Sequence, residues 1–274
     1  MTLSTRARQR AVYEHITRFR HQRSGLGAPV RDAFFSHSRS GVTVYPLASL
    51  LSATGGSGGG RGGRTRVMLY LSLLWVAGGG DHSSSRPAKW WAELLGLEDP
   101  EGAGGRVIRS SWGELERRGF VSITRGEASG DIPTIRPLRE DGSREAYTIP
   151  AGRGGDTYRR IPDSAWQALF HTKELTGPGL VMFLIALRTY GQSRGGSLTF
   201  PRDYFRSEYG ISDSTRKTGL RNLVSLSVLE AEGTSVEQDG SGSRRRGRTV
   251  YELMPTYYPP ERSTTGTSNA GEAS

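Results

Sequence analysis

The sequence predicts a mainly α-helical chain with small β-hairpins, of the α+β class, in which one three-helix unit closed by a hairpin occurs twice in tandem. The first sign is self-similarity at an offset of 114 residues: Val67-Met68-Leu69-Tyr70-Leu71-Ser72-Leu73 aligns with Val181-Met182-Phe183-Leu184-Ile185-Ala186-Leu187. The register then runs ungapped, matching Pro87 to Pro201, Trp90-Trp91 to Tyr204-Phe205, and Gly96-Leu97 to Gly210-Ile211. Upstream, Tyr45-Pro46 resembles Ile161-Pro162 with a shift in spacing. The second sign is periodicity, which turns from helical to β-like at the same place in each copy.

In the second copy Pro178 suits a first helical turn, and Leu180, Phe183, Leu184 and Leu187 follow at helical spacing as a core face. Gly191 ends that helix. Phe200-Pro201 opens the next, with Tyr204, Phe205 and Tyr209 as its apolar stripe and Gly210 as its stop. Ser212 and Asp213 offer N-cap chemistry for a third helix that packs through Leu220, Leu223, Val224 and Leu226. Two β-like runs, Val228 to Glu232 and Thr249 to Leu253, enclose a Gly/Ser/Arg-rich tip. The first copy predicts helices near Arg66 to Ala77, Pro87 to Leu95 and Gly104 to Arg118. Strands follow over Phe120 to Thr124 and Ile132 to Pro137, with a third around Ala146 to Ile149.

These signals divide the chain into a basic N-terminal extension (1–40), a first domain (41–149), a linker (150–157), a second domain (158–258) and a disordered tail (259–274). Within the extension a basic helix is expected near Ala7 to Gln22, with Val12, Ile16 and Phe19 as one apolar stripe. Hydrophobic residues make up only 34%, but the 38 glycines cluster in a few runs, which favours folded domains joined by pliable connectors.

The formal net charge is +10, and all but Lys89, Lys173 and Lys217 of the 37 basic residues are arginine. A GC-rich genome would produce the same preference for arginine. It would not produce the positive balance, which points to a polyanionic partner. With no cysteine, disulfides and Cys-ligated zinc are excluded. No apolar run is long enough for a membrane span, and Met1 to Arg10 lacks the apolar core of a secretory signal, so a cytoplasmic protein is expected.

Three helices with a short turn between the second and third, followed by a two-stranded hairpin, resemble the winged helix-turn-helix. The segment Gly210-Ile211-Ser212-Asp213-Ser214-Thr215-Arg216-Lys217-Thr218-Gly219-Leu220-Arg221-Asn222-Leu223 is similar to the turn and recognition helix of that family, and Phe120 and Leu229 sit where its wing often begins. The resemblance covers most of residues 45–255. A tandem pair of such domains also resembles plasmid replication initiators. The resemblance implies a sequence-specific binder of double-stranded DNA, a transcriptional regulator or a plasmid-type initiator associated with nucleoid or plasmid, whose third helix enters the major groove. Ser214, Thr215, Lys217, Thr218 and Arg221 are then the contacting side chains of the second domain: hydroxyls and Lys217 suit phosphates, and Arg221 suits guanine. Arg244, Arg245, Arg246 and Arg248 would arm the wing for the minor groove or its flanking phosphates. The first domain offers Arg106 and Arg109, but its hairpin tip carries Glu127 and Asp131, which fits weak DNA binding or a dimerisation role. A homodimer is left open, and no heptad seam is visible.

No catalytic grouping accompanies these residues. His15, His21, His37, His82 and His171 have neither metal-ligand nor catalytic spacing; Gly58 to Gly63 fits GxGxxG without the βαβ context that motif requires. The carboxylates form no paired arrangement for a two-metal nuclease, and Trp75, Trp90, Trp91, Trp112 and Trp166 fall at core-type positions. No enzyme and no cofactor is expected. The competing reading of the charged helix face and hairpin tip is a solvated surface, and a protein-interaction scaffold built on the same units is the alternative function.

Overall fold

Helices predominate over short antiparallel strands. The computed structural model describes residues 4–21, 27–52, 61–128, 130–193, 196–202, 205–235 and 248–260. In chain order these form α1 (Thr5–His21), β1 (Ala28–Arg31), a 3₁₀ turn (Asp32–Phe34), β2 (His37–Arg39), β3 (Val42–Val44), α2 (Pro46–Leu51), α3 (Arg61–Val76), α4 (Ala88–Leu94), α5 (Ala103–Arg117), β4 (Val121–Thr124) and β5 (Thr134–Pro137). The second half continues with β6 (Tyr158–Ile161), a π-helical turn (Ala165–Leu169), α6 (Gly177–Gln192), β7 (Leu198–Thr199), α7 (Phe205–Tyr209), α8 (Asp213–Ser225), β8 (Leu229–Ser235), β9 (Arg248–Leu253) and a closing 3₁₀ turn (Pro255–Tyr257). The expected tail from 261 onward and the glycine-rich stretch 53–60 lie outside the described residues.

The two halves repeat one plan. In the second, β7 pairs with β9 and β9 with β8; in the first, β4 pairs with β5, and Ser84 bridges Ile135 from the position that β7 occupies. Gly96 and Gly210, matched by the 114-residue offset, both sit at φ +64° before the third helix. After that helix the amide of Phe120 donates to Leu115 O and that of Val228 to Leu223 O, each at 2.9 Å. Phe120 O then accepts from Leu138 N, and Val228 O from Met254 N. Such coincidence of turn geometry and hydrogen bonding is what a duplicated unit requires.

α3 and α6 are the central helices, and they differ from the one-sided core face that the sequence suggests. Val67 through Trp75 and Gly179 through Leu187 are buried on every side. The reason is that each is packed by its own third helix and also by the other half, so no face is left for water. The stacked rings of Trp75 and Trp166, 4.6 Å apart, join the halves at this seam. Trp166 Nε1 donates to Ser72 Oγ at 3.0 Å and Trp75 Nε1 to Asp163 at 2.8 Å, so the polar tips of both rings are satisfied.

β1 lies antiparallel to β6, which ties residues 28–31 to the start of the second half. Residues 1–40, expected as an extension, thus add Ile16, Ala28, Val30, Phe34 and Phe35 to the shared core. Arg31 is the buried charge at this junction. Its guanidinium donates to Glu140 and to Asp156 at 2.6 Å each and to Thr148 O at 2.6 Å, while its face lies 5.3 Å from the Tyr147 ring centroid.

Three further expectations need correction. Phe200 does not open a helix: it follows β7 with its ring buried, because Leu198-Thr199 is drawn into the sheet by β9, and the described part of α7 is Phe205–Tyr209. Ala146 to Ile149 forms no third strand, only a bridge from Ala146 to Leu138, and Ile149 is exposed. Val224 is 39% exposed, since the buried side of α8 is Gly219, Leu220 and Leu223.

Candidate nucleic-acid interface

α8 starts where its sequence says it should. Ser212 takes an extended backbone and its Oγ accepts from Thr215 N at 3.2 Å, satisfying one of the amides that the first turn leaves free. The turn from α7 is only Gly210-Ile211-Ser212, and its geometry rests on Gly210: a Cβ there would stand 2.5 Å from the Tyr45 ring. Tyr45 reaches across from the first half, its hydroxyl donating to Ser207 O.

The buried side of α8 is held against α6 at short range. A Cβ on Gly219 would come within 2.4 Å of Met182 Cγ and of Pro178 O, so glycine permits this approach. Asn222 fixes the rotation of the helix: its carbonyl accepts from Thr176 N at 2.8 Å and its amide donates to Glu174 O at 2.9 Å. With that side fixed, Ser214, Lys217, Thr218 and Arg221 fall at i, i+3, i+4 and i+7 on one exposed face. Thr215 is half-buried, with its hydroxyl 2.9 Å from Ser212 Oγ, and therefore serves the cap first. Arg221 has no ion-pair partner among the described residues, whereas Lys217 Nζ lies 2.9 Å from Asp213.

Asp213 was expected only as N-cap chemistry and Arg216 was given no role of its own, although their i, i+3 spacing signals a helix ion pair. Arg216 donates through Nε and Nη2 to Asp213 at 3.0 and 2.6 Å and through Nη1 to Phe200 O at 2.9 Å. Hydrogen bonds from Arg216 and then Lys217 hold the Asp213 carboxyl down at about 2.

Beyond α8, β8 and β9 form a bulged hairpin. Arg244, Arg245 and Arg246, expected at its tip, lie outside the described residues; Arg248 opens β9 opposite Ser235.

In the first half α5 exposes Arg106 and Arg109, which have no ion-pair partner among the described residues. Other cations nearby are neutralised: Arg117 pairs with Glu114 at 2.9 Å and Arg125 with Glu116 at 2.8 Å. The β4–β5 tip is folded around Asp131, whose carboxylate accepts from Ala128 N at 3.0 Å. The exposed face of α5 also carries Val107, 42% exposed, where α8 carries hydroxyls. The two third helices therefore present different chemistry.

Among the described residues no three His, Asp or Glu side chains gather as a metal site, and no helix is long and apolar enough to cross a membrane. Trp75, Trp91, Trp112 and Trp166 are buried and Trp90 is half-buried, so the indoles are committed to packing. Comparison with protein-family models, curated proteins and solved structures finds no match to any of them.

Proposed function

We propose that the chain is a sequence-specific double-stranded DNA-binding protein made of two winged-helix domains, residues 41–149 and 158–258, acting as a transcriptional regulator or a plasmid-type replication initiator in the cytoplasm. The observation that carries this reading is α8: a helix with one face packed on α6 and a continuous opposite face of Ser214, Lys217, Thr218 and Arg221, the last without an ion-pair partner among the described residues. A third helix after a short turn, with a hairpin behind it, is how this class offers a helix to the major groove. The net charge of +10 and the arginines between β8 and β9 supply the phosphate-directed attraction. Arg221 is the base-reading side chain, and Lys217 with Ser214 and Thr218 engages phosphates. Arg106 and Arg109 give the first domain a weaker contribution on the same duplex.

Retention of random genomic duplex fragments by the full chain, followed by sequencing, tests the proposal. One enriched motif is expected. An array of direct repeats would indicate initiation and a single palindrome regulation, whereas recovery without sequence preference would overturn site-specific binding.

A further inference from the structure

We infer that a second, sequence-independent anion site lies between α8 and the base of the β8–β9 hairpin, and that it takes a phosphate-type oxyanion. On the duplex-binding reading, on which this assignment of the ligand rests, the oxyanion is a backbone phosphate of the strand passing between helix and hairpin. The site is a cavity of about 220 Å³ lined by Phe200, Pro201, Arg202, Arg216, Thr249 and Tyr251, with Thr199 at its edge.

Charge is the first argument. Among the described residues Asp213 is the one carboxylate ion-paired to these three cations, with Arg216 at 2.6 Å, Lys217 at 2.9 Å and Arg202 at 3.7 Å. One negative charge against three positive ones leaves a surplus that an anion would balance. Donor supply is the second argument. Arg216 gives three of its five N–H donors to Asp213 and Phe200 O, which fixes it in the wall of the cavity as a positive charge. Arg202 is not so fixed: its Nε stands beyond hydrogen-bond distance of Asp213, and its side chain is 67% exposed. Thr249 and Tyr251, two apart on β9, share one side of the strand, and their side-chain hydroxyls have no hydrogen-bond partner among the described residues. A guanidinium and two hydroxyls with open donors around a cationic cavity are suited to a tetrahedral oxyanion.

The test uses Arg202→Gln, an exposed change, and Thr249→Val in the full chain, with two readouts. In duplex binding, each variant is expected to weaken cognate and random fragments by the same factor. For Arg202→Gln the slope of log K against log salt falls by about one, and the enriched sequence does not change. Without any duplex, inorganic pyrophosphate is expected to raise the unfolding midpoint of the wild type above that in chloride of equal ionic strength, and Arg202→Gln is expected to abolish the rise. If the wild type retains no duplex but the pyrophosphate response depends on Arg202, the anion site stands and the DNA reading falls. If Arg202→Gln matches the wild type in both assays, the site is overturned.

Discussion

At the scale of single residues, Lys217 and Arg221 occupy the same face of α8 and yet are predicted to fail differently. Arg221 has no ion-pair partner among the described residues, and its planar fork suits a guanine edge; Arg221→Ala is expected to cost about 1–3 kcal/mol on the cognate duplex and to relax preference at one position. Lys217 is a point charge shared with Asp213, so Lys217→Ala is expected to weaken all duplexes alike, with a salt slope smaller by about one. Binding curves on cognate and scrambled duplexes separate the two. Both residues were legible in the sequence, because a helix with leucines on one side leaves its other side to solvent. Asp213 as a hub was not, since Arg202 reaches it across the α7–α8 turn, a contact that spacing along one helix does not reveal. Arg31 was missed as well: its sequence neighbourhood says only that it is a basic residue in a short apolar run. Burial alone would lower its pKa, but Glu140 and Asp156 lift it above the ordinary value. Removing it leaves Glu140 buried and uncompensated, so Arg31→Met is expected to lose about 3–5 kcal/mol in urea unfolding. The pH dependence has a definite sign. Burial would raise the Asp156 pKa, yet the Ala151 amide and the Arg31 guanidinium hold it below the ordinary value. Its stabilising effect is therefore present above a pH of about 4 and lost on acidification below it, and Arg31→Met should flatten that acid limb.

Elements are governed here by two glycines whose roles differ. Gly210 needs a positive φ and lies under the Tyr45 ring, so Gly210→Ala combines backbone strain with a clash against the other half of the molecule. Gly219 has ordinary helical backbone and is required only for the approach of α8 to α6. Each alanine variant is expected to lose on the order of 1–3 kcal/mol. The accompanying change in duplex affinity should be larger for Gly210→Ala, because the turn aims α8. Thermal unfolding with a parallel binding curve checks both effects. The sequence revealed the stop at Gly210 and the cap at Ser212 because turn and cap chemistry are local. It did not reveal β1, β6 or the strand pairing of β7. Those depend on pairings between distant segments: Ala28 with Ile161 joins the two halves, and Leu198 with Tyr251 pulls Phe200 out of the helix that Pro201 seemed to open. The buried circumference of α6 escaped for the same reason, since its second packing partner is the other copy of the unit.

For the whole molecule, the duplication was visible in the ungapped register, and the two halves share one core through Trp75, Trp166, Arg188 and the β1–β6 pair. Unfolding in urea should accordingly give a single transition, coincident by circular dichroism and tryptophan fluorescence; two separated transitions would mean that the halves are independent. On the proposed function, the shared core would let both third helices address one duplex. The central claim is that this duplex is bound through its phosphates and read through its bases. The most direct measurement is the affinity of the full chain for its most enriched duplex and for a scrambled one over a range of salt concentrations. The account predicts that both affinities fall linearly on a log–log scale, with the enriched duplex tighter by about a thousandfold or more at moderate salt. Failure to retain either duplex at the lowest salt would contradict it.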